Sequence, residues 1–308
     1  MKILIGGLPF FSKKLVDSLS EFDKNNTYTY LDPNISFWSK IRTVLKFLNF
    51  DLVYFVWGTV ETNKLTDVAL FLKKKVVMHW IGSDVTIAVD YHKDHSIKKR
   101  YLENITHLCE VPWIQEELSQ IGVYAGIAQI VTFTDKVSDL KQLPEKFSIL
   151  SYASKGKEEF YGIDKLIKLA NDFPLIEIRI AGIENYFKPT PENIIFLGWI
   201  NDMARQYRNC VLYLRLPEHD GLAFSVIEAL ANGRYVGYSC NFENTIFINN
   251  YEKLKDVVQN LYNEFSNKSL SVNLKGVEFI EDNYNRVTVL GKLIGIFRQK
   301  LAEKNYAV

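Results

Sequence analysis

Short, continuous apolar runs recur along this chain, separated by stretches with helical spacing. Lys2–Gly6, Thr27–Leu31, Asp51–Trp57, Lys75–Trp80, His107–Val111 and Ala128–Phe133 are such runs. Each has the length of a strand and lacks the alternation of a half-exposed one, so each reads as a strand covered on both faces. Phe37–Leu48, Asn63–Leu72 and Trp113–Ile121 lie between them with apolar residues at helical intervals. Strands of this kind alternating with helices dictate a parallel sheet flanked by helices.

The pattern stops at Thr134–Glu145, a polar stretch containing Pro144, and then restarts. The second set of strands is Phe147–Tyr152, Leu175–Ala181, Asn193–Leu197, Cys210–Leu214 and Tyr235–Ser239. Its helices are Ile163–Asn171, Asp202–Arg208 and Phe224–Asn232, followed by Tyr251–Phe265 and Asn285–Glu303. The expectation is an α/β chain of two similar domains, residues 1–140 and 141–308. In sheets of this type ligands bind beyond the carboxyl ends of the strands.

Composition narrows the function classes. With 37 Lys and Arg against 36 Asp and Glu, the net charge is +1, which gives no electrostatic footprint for nucleic acid. The three cysteines, Cys109, Cys210 and Cys240, are odd in number and widely spaced, neither a disulfide framework nor a zinc pattern. They suit a reducing, cytoplasmic setting. The N-terminal Met1–Phe11 reads as a first strand rather than a leader, and no apolar run has the length of a membrane span.

Leu214–Val236 carries most of the chemistry. A strand ends at Leu214, a loop holds Asp220 and Gly221, and a helix runs from about Ala223 to a stop at Gly233. A helix N-terminus reached through a Gly-containing loop offers N–H groups and a positive dipole end to phosphate. Asp220, just before the helix, is placed as an N-cap. Glu228, about a turn into the helix, is placed to accept two ribose hydroxyls. Taken singly, each carboxylate is an ordinary helix residue; bracketing a phosphate site, the pair suits a nucleotide sugar.

This stretch, D-G-L-A-F-S-V-I-E-A-L-A-N-G-R-Y-V, resembles the donor motif of retaining GT-B glycosyltransferases of family 4, E-x-F-G-x-x-x-x-E followed by A-x-A-x-G-x-P-V. The resemblance implies two facing Rossmann-like domains with a cleft between them, and a C-terminal helix (about 285–303) packing back on the first domain. It implies Asp220 at the donor-sugar hydroxyls, Gly221, Leu222, Ala223 and Phe224 at sugar and phosphate, and Glu228 at the ribose. The chain departs from the pattern in having Asp220 for Glu, Leu222-Ala223 for Phe-Gly and Tyr235 for Pro.

The family's G-R-x-x-x-x-K-G segment corresponds to Leu150–Asp164, where Tyr161-Gly162 replaces Lys-Gly and no Arg precedes. Lys155, Lys157 and Arg215 are then the candidate cations for the diphosphate. Phe196–Ile200 resembles the segment that lines the base pocket, through Gly198 and Ile200. Read as plain structure, it is a strand ending in a Gly turn with a packed Trp199. In the first domain, Val76–Val85 ends a strand at His79 and continues to Asp84. The resemblance implies His79 beside donor sugar and acceptor as a second catalytic candidate with Asp220, and Asp84, Gly6 and Gly7 on the acceptor side.

The implied reaction is sugar transfer from a UDP- or GDP-sugar to a hydroxyl of a saccharide or lipid-linked saccharide, with retention and no metal. The sequence has no Asp-x-Asp pair for a divalent cation. A non-catalytic nucleotide-sugar-binding subunit, an epimerase and a phosphorylase are the alternatives. Phe37–Leu48, with Lys40, Arg42 and Lys46 beside an apolar face, is a candidate for peripheral membrane contact, as are the clusters Lys73–Lys75 and Lys98–Arg100.

Overall fold

The structure is a computed structural model that describes residues 1–32, 47–130 and 142–303. The chain divides into two compact units, Met1–Thr132 with Arg286–Val308, and Phe133–Asn285. The expected link near residue 140 and most of Phe37–Leu48 lie outside the described residues.

In the first unit the strands are β1 (Lys2–Gly7), β2 (Thr27–Tyr30), β3 (Leu52–Val56), β4 (Lys75–Trp80), β5 (Ile105–Cys109) and β6 (Ala125–Ile127). The helices α1 (Pro9–Phe22), α2 (Lys64–Phe71), α3 (Ser83–Asp94), α4 (Lys99–Asn104) and α5 (Pro112–Gln120) intervene. All strand pairs are parallel, in the order β2-β1-β3-β4-β5-β6. The central strand β3, Leu-Val-Tyr-Phe-Val, is buried at every position, as a strand covered on both faces must be. Two strands of this unit differ from the sequence reading by more than one residue. The strand expected at His107–Val111 starts two residues earlier. The edge strand is Ala125–Ile127, while Ala128 and Ile130 beyond it pack into the core without extending the sheet. An edge strand pairs on one side only, so apolar continuity does not mark it.

The second unit holds β7 (Ser148–Tyr152), β8 (Glu177–Ala181), β9 (Ile194–Gly198), β10 (Leu212–Arg215), β11 (Tyr235–Tyr238) and β12 (Ile246–Phe247). Its helices are α6 (Ile163–Asp172), α7 (Met203–Arg208), α8 (Phe224–Ala231), α9 (Tyr251–Ser266) and α10 (Leu274–Asn283). The sheet order is β12-β11-β10-β7-β8-β9, again all parallel. Counted from its own first strand this is 6-5-4-1-2-3, the Rossmann order, and the order reverses between β7 and β10.

The last helix, α11 (Arg286–Ala302), belongs to the first unit although the chain reaches it from the second. Val289, Leu290, Leu293, Ile294 and Phe297 form one stripe at helical spacing and are buried. Four of them join Ile3, Ile5, Tyr54 and Val56 in one core. Burying each such side chain contributes about 2 kcal/mol. At the start of α11, Arg286 Nη2 reaches Glu21 Oε2 at 2.9 Å and donates to Ser18 O on α1. Among the described residues no helix is long and apolar enough to cross a membrane.

Candidate functional site

The carboxyl ends of β7 and β10 meet at the point where the second sheet reverses order. Side chains alternate along β10, so Tyr213 and Arg215 share one face while Leu212 and Leu214 enter the core on the other. Arg215 Nε donates to Asp220 Oδ2 at 2.8 Å. Its guanidinium lies 4.8 Å from the centre of the Tyr161 ring and 5.7 Å from that of Tyr152. Burial opposes the charge, but the Asp220 carboxylate, with Tyr213 and Tyr161, outweighs it and holds the guanidinium pKa above its ordinary value.

The Leu216–Ala223 loop is tied down from several sides. Glu218 N–H donates to Phe160 O at 3.0 Å, Ser239 Oγ to Pro217 O at 2.7 Å, and Tyr238 Oη to Gly221 O at 2.9 Å. Leu222 is buried, Ala223 and Phe224 half-buried. Asp220 is not the cap of α8: Ala223 occupies that position and no side chain caps it. The Arg215 side chain, which emerges from the preceding strand, holds the carboxylate in an ion pair.

The far end of α8 closes as the sequence indicates. Gly233, with φ +69°, donates to Leu230 O and Arg234 N–H donates to Ala229 O, a Schellman arrangement. Inside the helix Glu228 is half-buried, and Tyr207 Oη on α7 donates to its Oε2 at 3.0 Å. Tyr207 also meets Tyr213 edge-on, 5.6 Å between ring centres, linking the Glu228 and Arg215 neighbourhoods.

The other sequence candidates are placed as follows. Lys155 and Lys157 are exposed on the loop after β7, with Lys157 Nζ 6.0 Å from the Phe160 ring. Gly162 caps α6 with φ +76°, and a Cβ there would press on Leu216 O at 3.0 Å. Gly198, φ +65°, exchanges backbone hydrogen bonds with Gly182 and Ile183, and Ile200 is half-buried. Trp199 is not packed: it is 76% exposed.

In the first unit the order reverses between β1 and β3. Gly7, φ +110°, ends β1 where a Cβ would sit 2.1 Å from Val56 O, so no other residue fits; Gly6 is buried against Leu31. His79 is fully buried. Its Nδ1 is 2.6 Å from Tyr54 Oη, while Nε2 has only a weak approach to the Ala128 backbone and no well-formed hydrogen bond. Burial pushes its pKa down to about 3, so the ring is a neutral core group. Asp84 is buried too, and accepts from the N–H groups of Gly58, Ile81, Gly82 and Val85 at 2.6 to 3.1 Å. Burial nonetheless pushes its pKa up to about 6. Both side chains organise the β3 and β4 ends from within. Trp57, half-buried at the end of β3 with φ 147°, was not singled out in the sequence. Such a backbone conformation in a bulky residue is uncommon and has no signature in the local sequence. Tyr152 and Tyr207 were missed as well, since an isolated aromatic has no spacing signature, and Tyr161 was noted only as a departure from the motif.

The clusters considered for lipid contact are partly engaged. Lys74 Nζ donates to Leu48 O and Phe50 O, Arg100 pairs with Asp67, and Lys99 with Glu103.

No protein-family model matches the sequence, and no curated protein sequence matches it. Solved structures do match in fold. The Anabaena protein Alr3699/HepE, in complex with UDP and glucose, aligns at TM-score 0.67 with 13% identity, over 97% of this chain and 99% of that one. Sucrose-phosphate synthase from Thermosynechococcus elongatus aligns at 0.67 with 13% identity, over 98% and 100%. AviGT4, a glycosyltransferase of avilamycin A biosynthesis, aligns at 0.62 with 12% identity, over 99% of both chains. The fold is the two-domain Rossmann-like GT-B fold of glycosyltransferases.

Proposed function

We propose that the protein transfers a sugar from a nucleoside-diphosphate sugar to a hydroxyl acceptor, with the donor held by the second unit. One observation carries the reading. Glu228, oriented by Tyr207, lies four residues, roughly 6 Å of helix rise, inside α8, whose side-chain-uncapped N-terminus follows the loop at the order reversal of a Rossmann sheet. That spacing matches a ribose diol on the carboxylate and phosphate at the helix start. The match in fold to a structure holding UDP and glucose supports it.

In this reading Gly221–Phe224 lie along the phosphates and donor sugar, and Gly198 and Ile200 flank the base. The bond from the anomeric carbon to the diphosphate oxygen breaks, and the acceptor hydroxyl oxygen takes its place. Retention without a metal ion belongs to the same reading, supported by the resemblance of the donor motif and by the lack of an Asp-x-Asp pair. The donor is a UDP- or GDP-sugar and the acceptor a saccharide or lipid-linked saccharide, used in the cytoplasm or at the membrane surface. On the acceptor side, Gly6 and Gly7 bring backbone close, while Asp84 and His79 hold the strand ends from beneath.

Incubation with UDP-, GDP- and ADP-sugars, with and without saccharide acceptors, is the test. Release of a nucleoside diphosphate that disappears in Glu228→Ala is expected, with proton NMR reporting the anomeric configuration and added chelator leaving the rate unchanged. No release from any donor would count against transfer.

A further inference from the structure

We propose that Arg215 is the cation that holds the diphosphate, and that Asp220 positions Arg215 instead of binding the donor sugar. This rests on the nucleotide-sugar reading above and changes two assignments within it.

The Arg215 side chain is nine-tenths buried yet keeps an open edge, at 10% exposure. Nε is taken by Asp220, and the guanidinium lies over the Tyr161 and Tyr152 rings, 4.8 and 5.7 Å from their centres. Neither Nη has a protein acceptor among the described residues. Donors on that open edge are within reach of an anion that supplies acceptors. A phosphate does so with matching fork geometry. The location agrees: Arg215 ends β10 and Tyr152 ends β7, the two strands between which the sheet order reverses.

The rival cations are weaker candidates. Lys155 and Lys157 stand in water, where their fields are screened and their chains unfixed. Tyr161 occupies the position where the resemblance expects a lysine, and its ring carries the Arg215 guanidinium. The positive charge thus comes from the strand end, supported by an aromatic at the position where the resemblance expects a lysine. Asp220 is committed to Nε and sets the direction of the Nη edge.

Calorimetric titration separates these roles. UDP, GDP and ADP and their monophosphates are compared on wild type, Arg215→Gln, Arg215→Lys, Asp220→Asn and a Lys155→Ala/Lys157→Ala double variant. The wild type binds one diphosphate more tightly than its monophosphate. Arg215→Gln removes that increment, about 30-fold in Kd, with the monophosphate changed far less, which also shows that the site is folded. Arg215→Lys, which keeps charge without the fork, retains part of the increment. Asp220→Asn lowers the increment, and the lysine variant changes it by less than about 3-fold. A full increment in Arg215→Gln, or its loss only in the lysine variant, overturns the proposal while leaving the transferase reading standing. Asp220→Asn weakening the sugar conjugate but not the free diphosphate overturns the role given to Asp220. Failure of wild type to bind any nucleotide overturns both readings.

Discussion

Tyr207 and Tyr54 each use a phenol to fix a titratable partner, with different consequences. The Tyr207 hydroxyl donates to Glu228 at 3.0 Å, so Tyr207→Phe removes that one hydrogen bond and leaves the carboxylate in place. Nucleotide affinity is expected to fall about 3- to 10-fold, the scale of one hydrogen bond, against a larger loss for Glu228→Ala. Equal losses in the two variants, measured by titration, would contradict the positioning role. Tyr54 pairs with His79 Nδ1 in the core of the first unit. Tyr54→Phe leaves a buried ring nitrogen unpaired and is expected to lower stability by about 1–3 kcal/mol in urea unfolding. Nucleotide binding by the second unit would be untouched.

Two elements contain glycines of opposite meaning. In α11 a Cβ at Gly291 or Gly295 meets nothing within 4 Å. Gly291→Ala and Gly295→Ala are each expected to raise stability by about 0.5–1 kcal/mol, since helix interiors disfavour glycine. After β8, Gly182 has φ +94°, and a Cβ there would lie 2.2 Å from Ala153 O and 2.7 Å from the Tyr152 ring. Gly182→Ala is expected to cost about 3 kcal/mol from clash and left-handed backbone together. It would also displace Tyr152 from beneath Arg215. A melting temperature unchanged by Gly182→Ala would show that the turn relaxes freely. In sequence these three glycines look alike, because each stands in or beside an apolar segment and only the neighbours separate them.

At the scale of the whole molecule, three buried groups of the first unit, His79, His107 and Asp84, contribute to the pH response between pH 7 and 5. His79 and His107 are held neutral by burial, from the ordinary 6.5 down to about 3 and about 4. Trp80 Nε1 donates to His107 Nδ1, and His107 Nε2 is 3.1 Å from Tyr101 O, which suits the neutral ring. Below about pH 6.5 the unfolded chain takes up protons that the folded rings refuse, so stability is lost as pH falls. Asp84 has the opposite sign, since its folded pKa of about 6 lies above the ordinary 3.8 and its contribution is lost as pH rises through 6. From pH 7 to 6 the histidines act first, and two groups outweigh one below that. The urea midpoint of the first unit is expected to be lower at pH 5 than at pH 7; a higher one would refute this balance.

Periodicity and local turn chemistry determined a good deal without any coordinates. They established two parallel α/β units, the helix from about Ala223 to Gly233, and Glu228 inside it, because spacing and caps are properties of neighbouring residues. They also gave the amphipathic stripe of the last helix. Tertiary structure decided what depends on strand order and on remote partners. Asp220 reads as a cap from spacing alone, but strand β10 brings Arg215 to it, while the end of β7 and the loop after it bring Tyr152 and Tyr161 beside the guanidinium. His79 at a strand end reads as a site residue, but Tyr54 and the buried sheet enclose it. Trp57 and Trp199 reverse ordinary expectation, one strained and one exposed. In each case the charge, burial or backbone strain that gives a residue its role comes from groups distant in sequence, and no local pattern encodes them.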